Sequence, residues 1–294
     1  MGPVIAMLIG IIGTSVIHSS KGVMKLGMQR LQHAHAVGGS KRGASFVYSA
    51  GMIANFTTPF WVMFANLFAP TVFYTSMYGL GLISLLIFSR LVLREDLNRG
   101  HITGAAIIIG GTGLLGVGEF LGTPPVFGHE TLAPLVTISV IWVFVGLTVA
   151  ACIAGRKLLF QEIFFGLSAG GMAALDAMLK GFAQQGEGGS TFIPTTALGG
   201  IVLAGSFLPA AGAFGMIQWS YLRFCRVSIM GTTYDLSYVG LPVLLSALLD
   251  SGYGLTPFNT AGLVLLVSGA LIVQRAGNPI LVPDMKDPAH DAAC

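Results

Sequence analysis

Nine predominantly apolar stretches of about twenty residues or more follow one another along the chain with little between them, at 3–29, 45–69, 71–93, 101–120, 132–154, 158–184, 197–222, 228–249 and 256–275. About 20 apolar residues in a helix cross the hydrocarbon core of a bilayer. In lipid, a helix is one of only two structures that satisfy their own backbone. The expected fold class is therefore all-α, a polytopic membrane bundle of about nine transmembrane helices. Composition agrees. The 294 residues are 54% hydrophobic and only 9% charged, with a mean hydropathy of +0.80, whereas a soluble domain is about a quarter charged. Lipid is then the solvent for most of the surface. The 41 glycines let helices approach closely in that solvent, and a homodimer is a compatible assembly. Cys152, Cys225 and Cys294 are odd in number and lack metal-ligand spacing, so neither a disulfide framework nor a cofactor is expected. The start, Met1-Gly-Pro-Val-Ile, lacks the basic region of a signal peptide and reads as a retained first helix.

Lysine and arginine mark cytoplasmic loops. Following nine crossings puts Arg30, Lys41, Arg42, Arg90, Arg94, Arg99, Arg156, Lys157, Arg223, Arg226, Arg275 and Lys286 on one face. The loops of the other face carry acids alone, Glu119, Glu130, Glu187 and Asp250. The expectation is a multi-pass protein of an inner or plasma membrane, with its N-terminus outside and its C-terminus cytoplasmic.

The chain also repeats itself. Residues 69–118 lie over 227–276 without a gap, so that Thr75 falls on Thr233, Gly104 on Gly262 and Gly111 on Gly269. In the first and sixth segments, Lys21-Gly-Val-Met-Lys25 falls on Asp176-Ala-Met-Leu-Lys180, and Gln29 on Gln184. Four helices, a linking helix and four more put the second unit upside down relative to the first, a recurring transporter design. The expected units are a first repeat at 1–120, a linking fifth helix at 121–157, a second repeat at 158–276 and a disordered cytoplasmic tail at 277–294, which is polar and rich in Pro and Asp.

Charges inside membrane helices are costly and mark candidate sites. Lys21 lies about eight residues from the cytoplasmic end of the first segment, hence about 12 Å deep, and Asp235 lies at similar depth in the eighth. Their opposite charges at one depth predict a pair facing the bundle interior, serving solute binding or ion coupling. Asp176 and Lys180 stand one turn apart in the sixth segment, as a self-neutralising i,i+4 pair or as part of a site. His18, one turn before Lys21, titrates near neutral pH when unperturbed and joins Asp235 as a candidate proton carrier, with a packing role as the alternative. Pro59 and Pro209 fall near the middle of the second and seventh segments, where an interior proline kinks a helix. Matched interruptions in two halves point to a central transport site. Asn55, Thr57, Thr58, Trp61, Asn66, Phe207, Gln218 and Trp219 surround them, and Ser19, Ser20, Thr232, Thr233 and Tyr234 flank the interior charges. Aromatic walls with a few polar groups suit a small-molecule pocket. His33-Ala-His35 sits in a polar stretch and reads as a solvated loop rather than a metal site. No nucleophile and base can be assembled by spacing, so an enzyme is not expected, and neither is a nucleic-acid partner.

These features resemble the drug/metabolite transporter (EamA-like) superfamily, which is built from inverted helical repeats. The passage carrying the likeness runs from Ala69-Pro70 through Arg94-Glu95-Asp96-Leu97-Asn98 to the glycine-rich Gly104 to Gly118. Val227 to Val273, with Pro242 and Gly262, resembles it more loosely. The nine-helix layout, the outside N-terminus, Lys21-Gly22, and Gly51-Met52 ahead of Phe68-Ala69-Pro70 are similar to the magnesium-transporting NIPA branch. That branch carries a glutamate in its second helix where Pro59 stands here. Mg²⁺ prefers oxygen ligands, usually carboxylates, and three lysines, Lys21, Lys25 and Lys180, oppose Asp176 and Asp235. The leading expectation is a secondary transporter for a small zwitterionic or anionic metabolite. The alternatives are a divalent-cation permease using Asp176 and Asp235 as metal ligands, and a non-transporting membrane scaffold.

Overall fold

The computed structural model describes residues 1–37, 40–95, 97–153, 155–186 and 189–276. The expected tail at 277–294, Glu187 and Lys286 lie outside the described residues. The architecture is all-helical: α1 (Gly2–Ala36), α2 (Arg42–Asn55), α3 (Thr58–Ala65), α4 (Thr71–Thr75), α5 (Leu82–Leu91), α6 (Arg99–Leu121), α7 (His129–Cys152), α8 (Leu158–Ala183), α9 (Ala197–Leu222), α10 (Val227–Leu249) and α11 (Pro257–Ala276). The only strands among the described residues are the two-residue pair Gln185–Gly186 and Gly189–Ser190. Counting Thr71–Leu91 as one span, eight helices are long and apolar enough to cross a membrane, an architecture compatible with a multi-pass membrane protein. The distribution of side chains fits that solvent. Phe144, Ile201 and Leu248 point outward while Thr14, His18, Lys21, Thr112 and Asp235 are buried.

The second predicted crossing, 45–69, is not a single helix. It is interrupted at Phe56 and Thr57, so Pro59 does not kink a helix interior but stands second in α3, where its missing N–H costs nothing. Hydroxyls bond carbonyls at the break: Thr57 Oγ1 donates at 2.7 Å to Ala54 O, which also accepts from Thr57 N, and Thr58 Oγ1 donates to Asn55 O at 2.6 Å. The two short helices nevertheless run antiparallel along all of α1, with Gly27 against Tyr48, Gly51 against Met24, Gly13 against Trp61 and Gly2 against Phe68. The third crossing is relieved by a 3₁₀ turn, Tyr78–Gly81, between α4 and α5. Pro209 stays inside the continuous α9, as Pro134 does in α7 and Pro242 in α10.

α1 packs on α2–α3 and on α4–α5, α8 on α9 and α10, and α6 on α11. Asn98 starts α6 by accepting from His101 N while the His101 ring accepts from Asn98 N, a reciprocal capping box. Asn98 Nδ2 also donates to Ala276 O at the end of α11. The α6–α11 seam depends on four glycines. A Cβ on Gly104 would lie 2.6 Å from Gly269 O and 2.9 Å from Val273 N, and one on Gly111 would lie 2.9 Å from Gly262 O. Those neighbours are backbone and cannot rotate away. Gly104→Ala is expected to destabilise the protein by about 1–3 kcal/mol, the usual range for overpacking. Gly110→Ala, whose Cβ meets nothing within 4 Å, serves as the control. Equal unfolding midpoints for the two variants in detergent would refute the seam.

Candidate functional site

A cavity of ≈ 470 Å³ lies between α1, the α2–α3 break, α8, α9 and α10. Its lining includes Ile17 and Lys21 of α1, Asn55, Phe56, Thr58 and Pro59 at the break, and Ala173 and Asp176 of α8. Phe207, Ala210, Ala211, Ala213, Phe214, Gly215 and Ile217 of α9 and Tyr234 of α10 complete it. Most of the wall is hydrocarbon, and the two charged side chains on it are Lys21 and Asp176. Both are buried, at 1% and 5% exposure.

The charges meet different partners from those read in the sequence. Lys21 does not pair directly with Asp235. Its Nζ donates to Tyr78 Oη at 3.2 Å and lies 3.4 Å from the centroid of the Tyr234 ring. Both contacts stabilise a cation without neutralising it. Asp235 instead faces His18, with Nε2 at 3.0 and 3.1 Å from its two oxygens. Asp176 forms the expected ion pair with Lys180, whose Nζ also sits 4.6 Å from the centre of the Phe207 ring. Among the described residues, then, Lys21 makes no salt bridge and feels Asp235 only across a gap, while Asp176 is paired directly with Lys180.

The His18–Asp235 pair holds one shared proton. His18 Nδ1 lies 2.8 Å from Thr14 O, and a carbonyl only accepts, so Nδ1 carries hydrogen. The ring's other nitrogen then either donates to the carboxylate or accepts from the carboxylic acid. Each arrangement contains one proton between the two groups and leaves the pair neutral overall. The pair sits beside an aromatic cluster. The His18 ring centre is 4.7 Å from that of Tyr78, which is 3.9 Å from that of Tyr238. The hydroxyls of Tyr74 and Tyr238 are buried without a hydrogen-bond partner among the described residues.

The other predicted residues occupy the periphery. Ser20 Oγ donates to Ile17 O and approaches Asn55 Oδ1 at 3.5 Å, so it backs the cavity wall rather than lining it. Trp61 packs on Gly13 and donates from Nε1 to Thr57 Oγ1 at 3.0 Å, supporting the break from behind. Thr233 turns its hydroxyl to Ile229 O and Met230 O and packs on Gly166; it is a packing residue. Pro209 is buried and lies within the stretch of α9 that forms the cavity wall without lining it itself. Tyr78, the hydrogen-bond partner of Lys21, was not anticipated. Its signal was present as two tyrosine pairs spaced four residues apart, Tyr74/Tyr78 and Tyr234/Tyr238, although only the second pair shares a continuous helix.

The two ends of the bundle are tied differently. At the arginine-rich end, the turn between α9 and α10 is held from three sides. Glu162 of α8 accepts from Arg226 N, Nε and Nη2 at 2.7, 2.9 and 2.8 Å. Glu95 accepts from Val227 N and Ser228 N at 3.0 and 3.2 Å, and Lys25 Nζ donates to Cys225 O at 2.7 Å. Burial pushes the Cys225 thiol up to about 12, so it stays neutral within that basic turn. At the other end, Gln184 takes a hydrogen bond from Asn66 and donates to Met63 O, and Glu119 accepts from Tyr253 and Asn259. Compared with known proteins, the chain matches no family model, no curated protein and no solved structure.

Proposed function

We propose that this chain is a secondary transporter that moves a small anionic or zwitterionic solute across a membrane by alternating access. The observation that carries this reading is Lys21, a buried lysine that makes no salt bridge among the described residues, set in the wall of a central cavity. The cavity lies at the helix break of one half and the proline helix of the other. Lys21 attracts the anionic group of the solute, and Asp176, held by Lys180, accepts a cationic one. The His18–Asp235 pair supplies a proton that can move with the solute.

The glycine seam supports two inverted repeats. The register that sends Gly104 to Gly262 and Gly111 to Gly269 implies a two-fold axis that must turn a 104–269 contact into a 262–111 contact. Both contacts exist. The pairing of α1 with α2–α3, and of α8 with α9, repeats the same layout. The broken pair α2–α3 then counts as the ninth crossing, and the arginine-rich end is cytoplasmic by the distribution of basic loops. A divalent-cation permease is the weaker reading, because the two interior carboxylates do not converge: Asp176 holds Lys180 and Asp235 holds His18.

The test is uptake into proteoliposomes by the purified full chain, using labelled carboxylates, amino acids and Mg²⁺ with and without an inward proton gradient. The expected result is saturable organic-anion or amino-acid uptake that the gradient accelerates. Asp235→Asn and His18→Gln should keep solute exchange at equal pH yet lose the gradient-driven accumulation, a drop of about tenfold or more. Uptake of Mg²⁺ alone, dependent on Asp176 and Asp235, would replace the proposal with the permease.

A further inference from the structure

The cavity has a polar end and an open apolar end. Lys21, Asp176 and Tyr234 are buried, whereas Phe56, Phe207, Ala211 and Gly215, which line the same space, are exposed. The exposed rim does not lie at either end of the bundle. Phe56 stands at the break between α2 and α3, and Phe207 and Ala211 belong to the middle of α9, which runs from Ala197 to Leu222. At 1.5 Å per residue, both are roughly 15 Å or more from either end of their helix, the depth of a bilayer mid-plane. The seam between α2–α3 and α9 is bridged by side-chain tips. Tyr48 Oη donates to Gln218 Oε1 at 2.7 Å, and the Phe56 and Phe214 ring centres are 5.2 Å apart. The opening therefore faces lipid chains.

We infer that the transported solute is an amphiphile, an apolar chain ending in a small carboxylate or phosphate, which loads and leaves sideways from the bilayer. Its head occupies the charged end against Lys21, and its chain passes between α2–α3 and α9 into the surrounding lipid. This rests on the transport reading of the same cavity and narrows its substrate class. Two features favour it over a tail-less solute. A wholly polar solute at a mid-membrane opening borders hydrocarbon on its open side, which is unfavourable for any polar group, whereas an alkyl chain exchanges one apolar neighbour for another. The charge also complements an anion, since Asp176 is ion-paired directly with Lys180 whereas Lys21 makes no salt bridge among the described residues.

Photolabelling of the full chain in phosphatidylcholine proteoliposomes tests this directly. Four probes each bear a diazirine: a long-chain carboxylate, a long-chain monoalkyl phosphate, the alcohol of the same chain, and a four-carbon acid. Adducts should map to residues 56–59 and 207–215 and be at least tenfold more abundant with one or both long-chain anions than with the alcohol. Comparison of the carboxylate with the phosphate identifies the head. Labelling should disappear in Lys21→Gln, persist in Lys21→Arg, and disappear in Gly215→Phe. At Gly215 a Cβ meets nothing within 4 Å, so the added side chain starts into open space at the portal, and an unchanged unfolding midpoint checks that the variant is folded. Equal labelling by the alcohol, or labelling indifferent to both Lys21→Gln and Gly215→Phe, would overturn the inference. Competition by the four-carbon acid as strong as by its long-chain counterpart would also overturn it, yet would leave a transporter of tail-less anions standing. Absence of both labelling and uptake would remove the two readings together.

Discussion

Lys21→Gln is expected to abolish solute binding and transport while leaving a folded protein. Among the described residues, Lys21 is the one cavity-wall cation that no carboxylate meets in a salt bridge, and it is buried against Tyr78 and Tyr234. Removing one partner of a buried charge pair leaves the other desolvated and uncompensated, at a cost of about 3–5 kcal/mol. Each 1.4 kcal/mol is tenfold in affinity, so the loss is on the order of 100-fold or more. The fold should tolerate the change, because the neutral amide no longer bears the cost of burying an ammonium, which offsets the lost contact with the Tyr234 ring. Lys21→Arg keeps the charge and should retain a measurable fraction of binding. The readout is the rise in thermal stability on adding solute, since a ligand bound only to the folded state must raise it, together with counterflow uptake. A full ligand-induced shift in Lys21→Gln would remove this residue from the site.

Glu162→Ala should produce the largest loss of stability. The Glu162 side chain is inaccessible and accepts three hydrogen bonds, one from a backbone amide and two from the guanidinium of Arg226. Truncation leaves a largely buried Arg226 without this carboxylate, and about 3–5 kcal/mol is the expected cost. Glu95→Ala is expected to cost less, about 1 kcal/mol, because it removes acceptors from two amides at the start of α10 in the manner of a lost N-cap. Unfolding of both variants in the same detergent gives the comparison. A Glu162→Ala protein within 1 kcal/mol of the parent would show that the clamp does not hold this turn. The clamp joins Glu95 and Lys25 to the α9–α10 turn, so on the proposed alternating-access reading an opening of the arginine-rich end has to break it. Residual transport by Glu95→Ala should therefore change its rate more than its solute affinity.

Several parts of the site were legible because they are local. Asp176 and Lys180 pair as expected since four residues make one helical turn, a geometry that no tertiary arrangement alters. Asn55, Thr58 and Pro59 line the cavity as their clustering suggested, and Phe207 lines it from the facing helix. The reason they cluster was different. A proline in the second predicted crossing suggested a bent helix, whereas the chain stops and restarts, with Thr57 and Thr58 bonding carbonyls at the break. The Glu162–Arg226 and Glu95 contacts were not legible. Each joins residues more than sixty positions apart, and nothing in the local pattern of an acid near a helix end names its partner.

What the sequence determined by itself is the all-helical class, the position of most of the long apolar helices and the burial of the charges within them. Chain segments in lipid must satisfy their backbone internally, so long apolar stretches leave little choice, and an ionisable residue within them must turn inward. Only the tertiary structure decided which charge meets which. Lys21, His18 and Asp235 lie at similar depths, and depth follows from counting residues at 1.5 Å each. Partnership depends instead on how each helix is rotated about its axis, and one residue of rotation is about 100°. That rotation is set by packing. Gly13 against Trp61 and Gly81 against Thr14 and His18 fix the face that α1 presents, giving Asp235 to His18 and leaving Lys21 to the tyrosines and the cavity.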